Sequence, residues 1–152
     1  MLAKIPNGLD EILDTFGSID DPTRFELESV VSFDLPYPLV YDGHVVHRAR
    51  AHRLAVDHFV FAFEQVAALG LDDLARNYGG IYARRSIRGA KMHPSTHSWA
   101  IAIDLEPARF PLGSTARMDE RVVECFRRAG FFYGGNFRSR KDPMHYQLCT
   151  GY

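Results

Sequence analysis

The feature that most constrains this chain is a pair of short polar motifs, far apart in sequence and each set in apolar surroundings. The first is Ser95-Thr96-His97-Ser98-Trp99-Ala100-Ile101-Ala102-Ile103-Asp104 and the second is Asp142-Pro143-Met144-His145. Burying ionisable side chains is costly unless they meet partners, so a workable fold has to bring the two motifs together. Residues 99–105 alternate, with Trp99, Ile101, Ile103 and Leu105 on one side and Ala100, Ala102 and Asp104 on the other. This predicts a strand with one core face and one floor of small residues ending in a carboxylate. His97 has the wrong parity for that floor and is expected in a turn before the strand, where Pro94 and Ser95 are suitable residues. Residues 144–149 alternate in the same way, so a second strand can present His145 to the same floor while Met144 and Leu148 pack behind it.

Two imidazoles and one carboxylate leave a position of a four-coordinate zinc ion open, which is the pattern of a catalytic site. Asp142, three residues before His145, offers a further carboxylate able to accept a proton. His93, two residues before Ser95, is a weaker candidate and is assigned to the loop surface. In the competing, metal-free reading these histidines are structural residues of the core. Cys125 and Cys149 lack the spacing of a thiolate site and are too few for a disulfide scaffold, so they read as reduced, partly buried thiols. Any metal therefore falls to histidine and carboxylate.

With 152 residues and 46% hydrophobic content, residues 1–152 are expected to form a single domain with a core that needs no staples. Lysine and arginine (18) nearly balance aspartate and glutamate (19), which gives no electrostatic case for nucleic acid or an anionic membrane surface. No run approaches the ~18 apolar residues of a membrane span. No signal-peptide core is readable in residues 1–8.

Periodicity predicts a helix over residues 7–17, capped by Asn7 and ended by Gly17. Residues 25–41 read as strand-like, with Pro36 and Pro38 favouring an edge or turn, and Asp42-Gly43 supplies a hairpin turn. The strongest helical pattern covers residues 48–69 and a last helix covers 115–129. His44, His47, His52 and His58 are assigned surface or capping roles, with His44 and His47 the least implausible metal pair. After Asn77-Tyr78-Gly79-Gly80, residues 81–89 read as a strand running into a basic loop. One of the arginines there can turn inward to bind a carboxylate or a developing oxyanion. Residues 131–135 read as an aromatic strand and turn.

Ser95-x-His97-x-x-Ala100-x-Ala102-x-Asp104 resembles the S-x-H-x-x-G-x-A-x-D signature of the VanY-type D-alanyl-D-alanine carboxypeptidases. That family also contains phage L-alanyl-D-glutamate endopeptidases. Tyr133-Gly134-Gly135-Asn136-Phe137 followed by Asp142-Pro143-Met144-His145-Tyr146 is similar to its W-G-G-x-W … D-P-M-H-F ending, and residues 85–89 to its R-x-I-x-G approach. The resemblance implies an α+β fold with helices packed on a mainly antiparallel sheet, of the type shared with the hedgehog signalling domain. It implies His97, Asp104 and His145 as zinc ligands, Asp142 as catalytic base, and Ser95 as a support of the His97 turn. An upstream arginine, Arg85 first and Arg88 second, would contact substrate or polarise the scissile carbonyl. The activity implied is zinc-dependent hydrolysis of peptide bonds in peptidoglycan stem peptides, in cell-wall lysis or remodelling, and a monomer is expected. The alternative is a non-catalytic, zinc-stabilised module that binds a wall peptide or a protein partner; Asp142 argues against it. Ala100 stands where the family has glycine, which either narrows the cleft or marks a position with no need of positive φ. Tyr133, Phe137 and Tyr146 keep an aromatic body where the family has other aromatics.

Overall fold

Two antiparallel sheets and four helices make an α+β fold among the residues that the computed structural model describes, 2–85 and 93–152. Helix α1 spans Gly8–Phe16 and buries Ile12 and Phe16. Asn7 precedes it without capping through its side chain: its N–H donates to Glu11 and its Oδ1 accepts from the Thr150 hydroxyl. Helix α2, Pro22–Ser29, occupies part of the stretch expected to be strand-like. The local signals explain it: Asp21 accepts from the Arg24 N–H at 3.1 Å, and Pro22 fills the first turn, where its missing N–H costs nothing.

Strands β1, Val30–Tyr41, and β2, His44–His52, form a two-stranded antiparallel hairpin. Asp42 and Gly43 both have positive φ, 47° and 77°, as a tight hairpin turn requires. The register shifts between Asp34 and Leu39, where Pro36 and Pro38 withhold two ladder donors. The helix expected from residue 48 begins later, because residues 48–52 belong to β2. There the period is two: Ala49 and Ala51 are buried, while Arg48 and Arg50 reach out to Asp34 and Glu26. Helix α3 is Val56–Ala68. Its Phe59 stacks on Phe33 and meets Phe131; Phe63 meets Tyr37 and Phe126 edge-on. Those rings join the hairpin to helix α4, Glu120–Arg128, which is shorter than the 115–129 expected.

His52 and His58 correct the surface assignment, since both are buried. His52 keeps a capping function: its Nδ1 accepts from the Leu54 N–H at 3.1 Å, so Nε2–H donates to the Phe16 carbonyl. His58 accepts from the Ala3 N–H through Nε2 and donates from Nδ1 to the Ala129 carbonyl. His44 and His47 are exposed on β2.

The second sheet has four strands in the order β3-β4-β6-β5, all antiparallel: β3 Tyr78–Gly80, β4 Ala102–Leu105, β5 Phe132–Tyr133 and β6 His145–Gln147. Strand β3 lies just ahead of the stretch expected to be strand, and residues 81–85 are not strand. Glycines at this edge allow a close approach, for a Cβ on Gly79 would lie 3.2 Å from the Asp104 Cβ. The strand expected over 99–105 is shorter as well. Thr96–Trp99 is a 3-10 turn, and Ala100 leaves it in the left-handed region, φ 56° and ψ 38°. The resemblance's glycine is thus accounted for: this position does adopt positive φ, at a cost to alanine of about 1–2 kcal/mol. Ala100 is fully buried in the hydrophobic core, so its methyl belongs to the core cluster and is not part of a cleft floor. Trp99 anchors the turn by donating from Nε1 to the Gly17 carbonyl at 3.0 Å. Cys125 and Cys149 are buried, unbridged thiols. No helix of the described residues is long and apolar enough to cross a membrane.

Candidate metal centre

The register of β4 and β6 decides what each sheet face carries. Ile103 lies opposite Tyr146, and both are fully buried towards the aromatic core. One residue to either side, Asp104 lies opposite His145 and Ala102 opposite Gln147, so these four share the other face. His97 reaches that face from the 3-10 turn, whose first residue Thr96 follows Ser95; the Ser95 hydroxyl accepts from the His97 N–H at 3.3 Å. The turn is stitched to the preceding segment. Ala83 N–H donates to the His97 carbonyl, Ser95 N–H to the Arg85 carbonyl, and the Ser98 hydroxyl to the same Arg85 carbonyl at 2.9 Å.

One ligand atom from each of His97, Asp104 and His145 lies within 4.8 Å of the others, and all three residues are buried. The nitrogens that face inward follow from the hydrogen bonds behind them. His97 Nδ1 lies 2.8 Å from the Ile81 carbonyl, which can only accept, so Nδ1 carries the hydrogen. Its Nε2 is then directed at Asp104 Oδ1, 3.3 Å away, and in the neutral ring it is a buried atom with no hydrogen-bond partner. His145 repeats the arrangement with its nitrogens exchanged: Nε2 is 2.9 Å from Gln147 Oε1, and Nδ1 is 3.1 Å from Asp104 Oδ1.

Two imidazole lone pairs therefore converge on one carboxylate oxygen. Acceptors packed this closely repel unless positive charge lies among them, supplied either by protons or by a metal ion. Electrostatics favours such charge. Burial works to raise the Asp104 pKa, but interactions with His145 and His97 outweigh it and hold the carboxyl well below the usual range. Burial likewise opposes a charge on His145, yet Asp104 reverses the balance and raises its pKa. The donor set, two imidazole nitrogens and a carboxylate, fits zinc.

Arg85 places Nη2 3.3 Å from Asp104 Oδ2, the carboxylate oxygen turned away from the histidines, and remains about half exposed. Arg88 lies outside the described residues. Asp142 sits in a turn closed by its own carbonyl accepting from the His145 N–H at 3.0 Å, and its N–H donates to the Gly134 carbonyl at 3.0 Å. Gly134 has to be glycine for this, because a Cβ there would collide with the Asp142 carbonyl oxygen. Burial raises the Asp142 pKa and the charge of Asp104 adds to the rise, while His145, His97 and Arg85 oppose it. Its Oδ1 is buried without a hydrogen-bond partner. Phe137 borders the group, its ring 6.0 Å from that of His145 and stacked on Phe132 at 5.7 Å. His93 is exposed and outside the group.

Sequence reasoning missed Thr96, Gln147 and the Ile81 carbonyl. Gln147 had a visible signal, since it is two residues from His145 on the same strand face. The Ile81 carbonyl had none, because a backbone acceptor carries no residue identity.

A family model described as D-alanyl-D-alanine carboxypeptidase matches residues 88–148, less than half of the chain. The matched stretch contains His97, Asp104, Asp142 and His145 and begins just after Arg85. It supports a peptidase. No curated protein and no solved structure matches the chain.

Proposed function

We propose that residues 1–152 form one peptidase domain that binds a single zinc ion through His97 Nε2, Asp104 and His145 Nδ1 and hydrolyses peptide bonds in peptidoglycan stem peptides. The observation that carries this reading is the convergence of two inward imidazole nitrogens on Asp104 Oδ1, with His97 Nε2 left unpartnered in the neutral ring. The family match over residues 88–148 supports the choice of peptide substrate. When bound, zinc supplies a Lewis acid that polarises a carbonyl and lowers the pKa of water.

The chain's own groups do the rest. Asp142 Oδ1, buried and free of hydrogen bonds, takes a proton as water adds to the scissile carbonyl and returns it to the departing amine. A carboxyl whose pKa is raised by burial suits both halves of that task. Arg85 holds Asp104 through Oδ2 and, being half exposed, has guanidinium donors left to meet a substrate carbonyl oxygen as it gains charge. Ser95 fixes the backbone of the His97 turn, and the Phe137 ring packs beside His145.

Digestion of purified muropeptides followed by mass spectrometry tests the reading. Release of D-alanine, or scission between L-alanine and D-glutamate, is expected, with loss of either on chelation and recovery on adding zinc. Intact stem peptides after incubation with stoichiometrically zinc-loaded protein would leave the non-catalytic, zinc-stabilised module in its place.

A further inference from the structure

The histidine pair differs in what holds each ring from behind. His97 is fixed by a backbone carbonyl, which no substitution at its own position can alter. His145 is fixed by side chains, and those side chains are themselves oriented. Gln147 Nε2 lies 3.4 Å from the Cys149 carbonyl and 3.3 Å from the Tyr152 carbonyl, two groups that can only accept. The amide group is therefore turned so that its NH₂ faces them and its Oε1 faces His145. Oε1 in turn lies 2.9 Å from His145 Nε2 and accepts from the Thr96 hydroxyl at 3.3 Å. Thr96 Oγ1 is also 3.3 Å from Nε2, so one imidazole N–H is shared between two oxygens that are linked to each other. All three residues are buried, and every polar contact in the ring has one consistent direction of donation.

From this network we propose that Gln147 is a positioning residue that selects the nitrogen His145 offers to the metal. Carbonyls of Cys149 and Tyr152 orient the amide; the amide oxygen holds the hydrogen on Nε2; and Nδ1 is left with its lone pair beside Asp104. The far end of the network is anchored in the first motif. The Tyr152 hydroxyl donates to the Pro94 carbonyl at 2.6 Å and the Tyr152 ring meets Trp99 edge-on, so the closing segment is tied to the turn that carries His97. Gln147 thus couples the metal-facing nitrogen of β6 to the placement of residues 94–99. The inference rests on the metal reading above, since it assigns a cause to the geometry of one ligand.

Zinc affinity by chelator competition, measured on the whole chain, separates this role from a packing role. Q147L keeps the volume but accepts nothing, so His145 loses the partner that fixes its tautomer, and zinc should bind about 10- to 100-fold more weakly. Q147E keeps an acceptor for Nε2–H but sets a carboxylate against the carbonyls of Cys149 and Tyr152. Its metal-free form should melt at lower temperature than wild type while its zinc affinity stays within about threefold of wild type. A residue that only packs would show affinity falling in step with stability in both variants. Two-bond nitrogen–proton correlation spectra of the zinc-loaded wild type should place the His145 hydrogen on Nε2. Wild-type affinity in Q147L, or a hydrogen on Nδ1, would overturn the inference while leaving zinc binding intact. Failure of the wild-type chain to take up zinc would overturn the metal reading and this inference together.

Discussion

Among the described residues four histidines are buried, His52 at the end of β2 and His58 in α3, and His97 and His145 at the four-stranded sheet, and burial alone does not separate the pairs. The difference lies in the second ring nitrogen. His52 and His58 each accept one backbone N–H and donate to one backbone carbonyl, so each is complete as a neutral ring. His97 and His145 also donate outward, but their remaining nitrogens meet at a carboxylate oxygen that has nothing to donate. A structural histidine closes its own hydrogen bonds, whereas a ligand histidine keeps one lone pair open at a shared point.

Substitutions can break this contrast directly. The largest effect is expected for Asp104→Ala, which removes the point where the lone pairs meet. Zinc affinity, read by chelator competition, should fall by more than the roughly 100-fold that loss of an outer partner costs, and stem-peptide cleavage should be lost. Asp142→Ala should keep its zinc and lose about 10²- to 10⁴-fold in turnover, because in the proposed reaction it removes only the proton carrier. Loss of metal from the Asp142 variant would instead make that carboxylate a ligand.

The other half of the comparison predicts a pH dependence independent of metal. Burial lowers the His52 pKa from its ordinary value of 6.5 to about 4. In that interval the unfolded chain binds a proton that the folded chain refuses, so the stability His52 contributes is full above pH ~6.5 and falls as the pH drops towards ~4. From pH 7 to pH 5 this costs about 2 kcal/mol. Urea titrations should therefore show a His52→Gln variant, less stable at neutral pH, losing about 2 kcal/mol less than wild type over the same step; equal losses would contradict the assignment.

Two smaller effects sharpen the view of the sheet's two faces. The Tyr146 hydroxyl is buried on the core face without a partner, where the resembling family has phenylalanine. Tyr146→Phe should raise stability by about 1 kcal/mol with no change in zinc affinity. Ala100→Gly relieves a left-handed alanine, but the entropic cost of glycine and the loss of a buried methyl offset that relief, so stability should stay within about 0.5 kcal/mol of wild type. Thermal melts of the metal-free proteins read both.

The polar floor was legible because β4 and β6 keep a strict period of two through Asp104 and His145, whereas the fold class came from the resemblance that the two motifs carry. Residues 48–52 were misread because Ala49 and Ala51 run straight into an apolar helix, and small residues fit either period. Strand β3 was invisible because glycines carry no pattern; their value lies in the approach of Gly79 to Asp104, a tertiary contact. The Asp21-Pro22 start of α2 went unread, because the strand pattern of Val30, Val31 and Phe33 carried the strand reading back to residue 25. His52 and His58 could not be placed from sequence, since their partners are backbone atoms distant in the chain.

X-ray absorption at the zinc edge of the reconstituted protein reads the ligand set itself. One ion per chain is expected, with a shell of nitrogen and oxygen at roughly 2.0–2.1 Å, outer scattering from two imidazoles, and no sulfur. A sulfur shell near 2.3 Å, scattering from fewer than two imidazoles, or no bound zinc would contradict it.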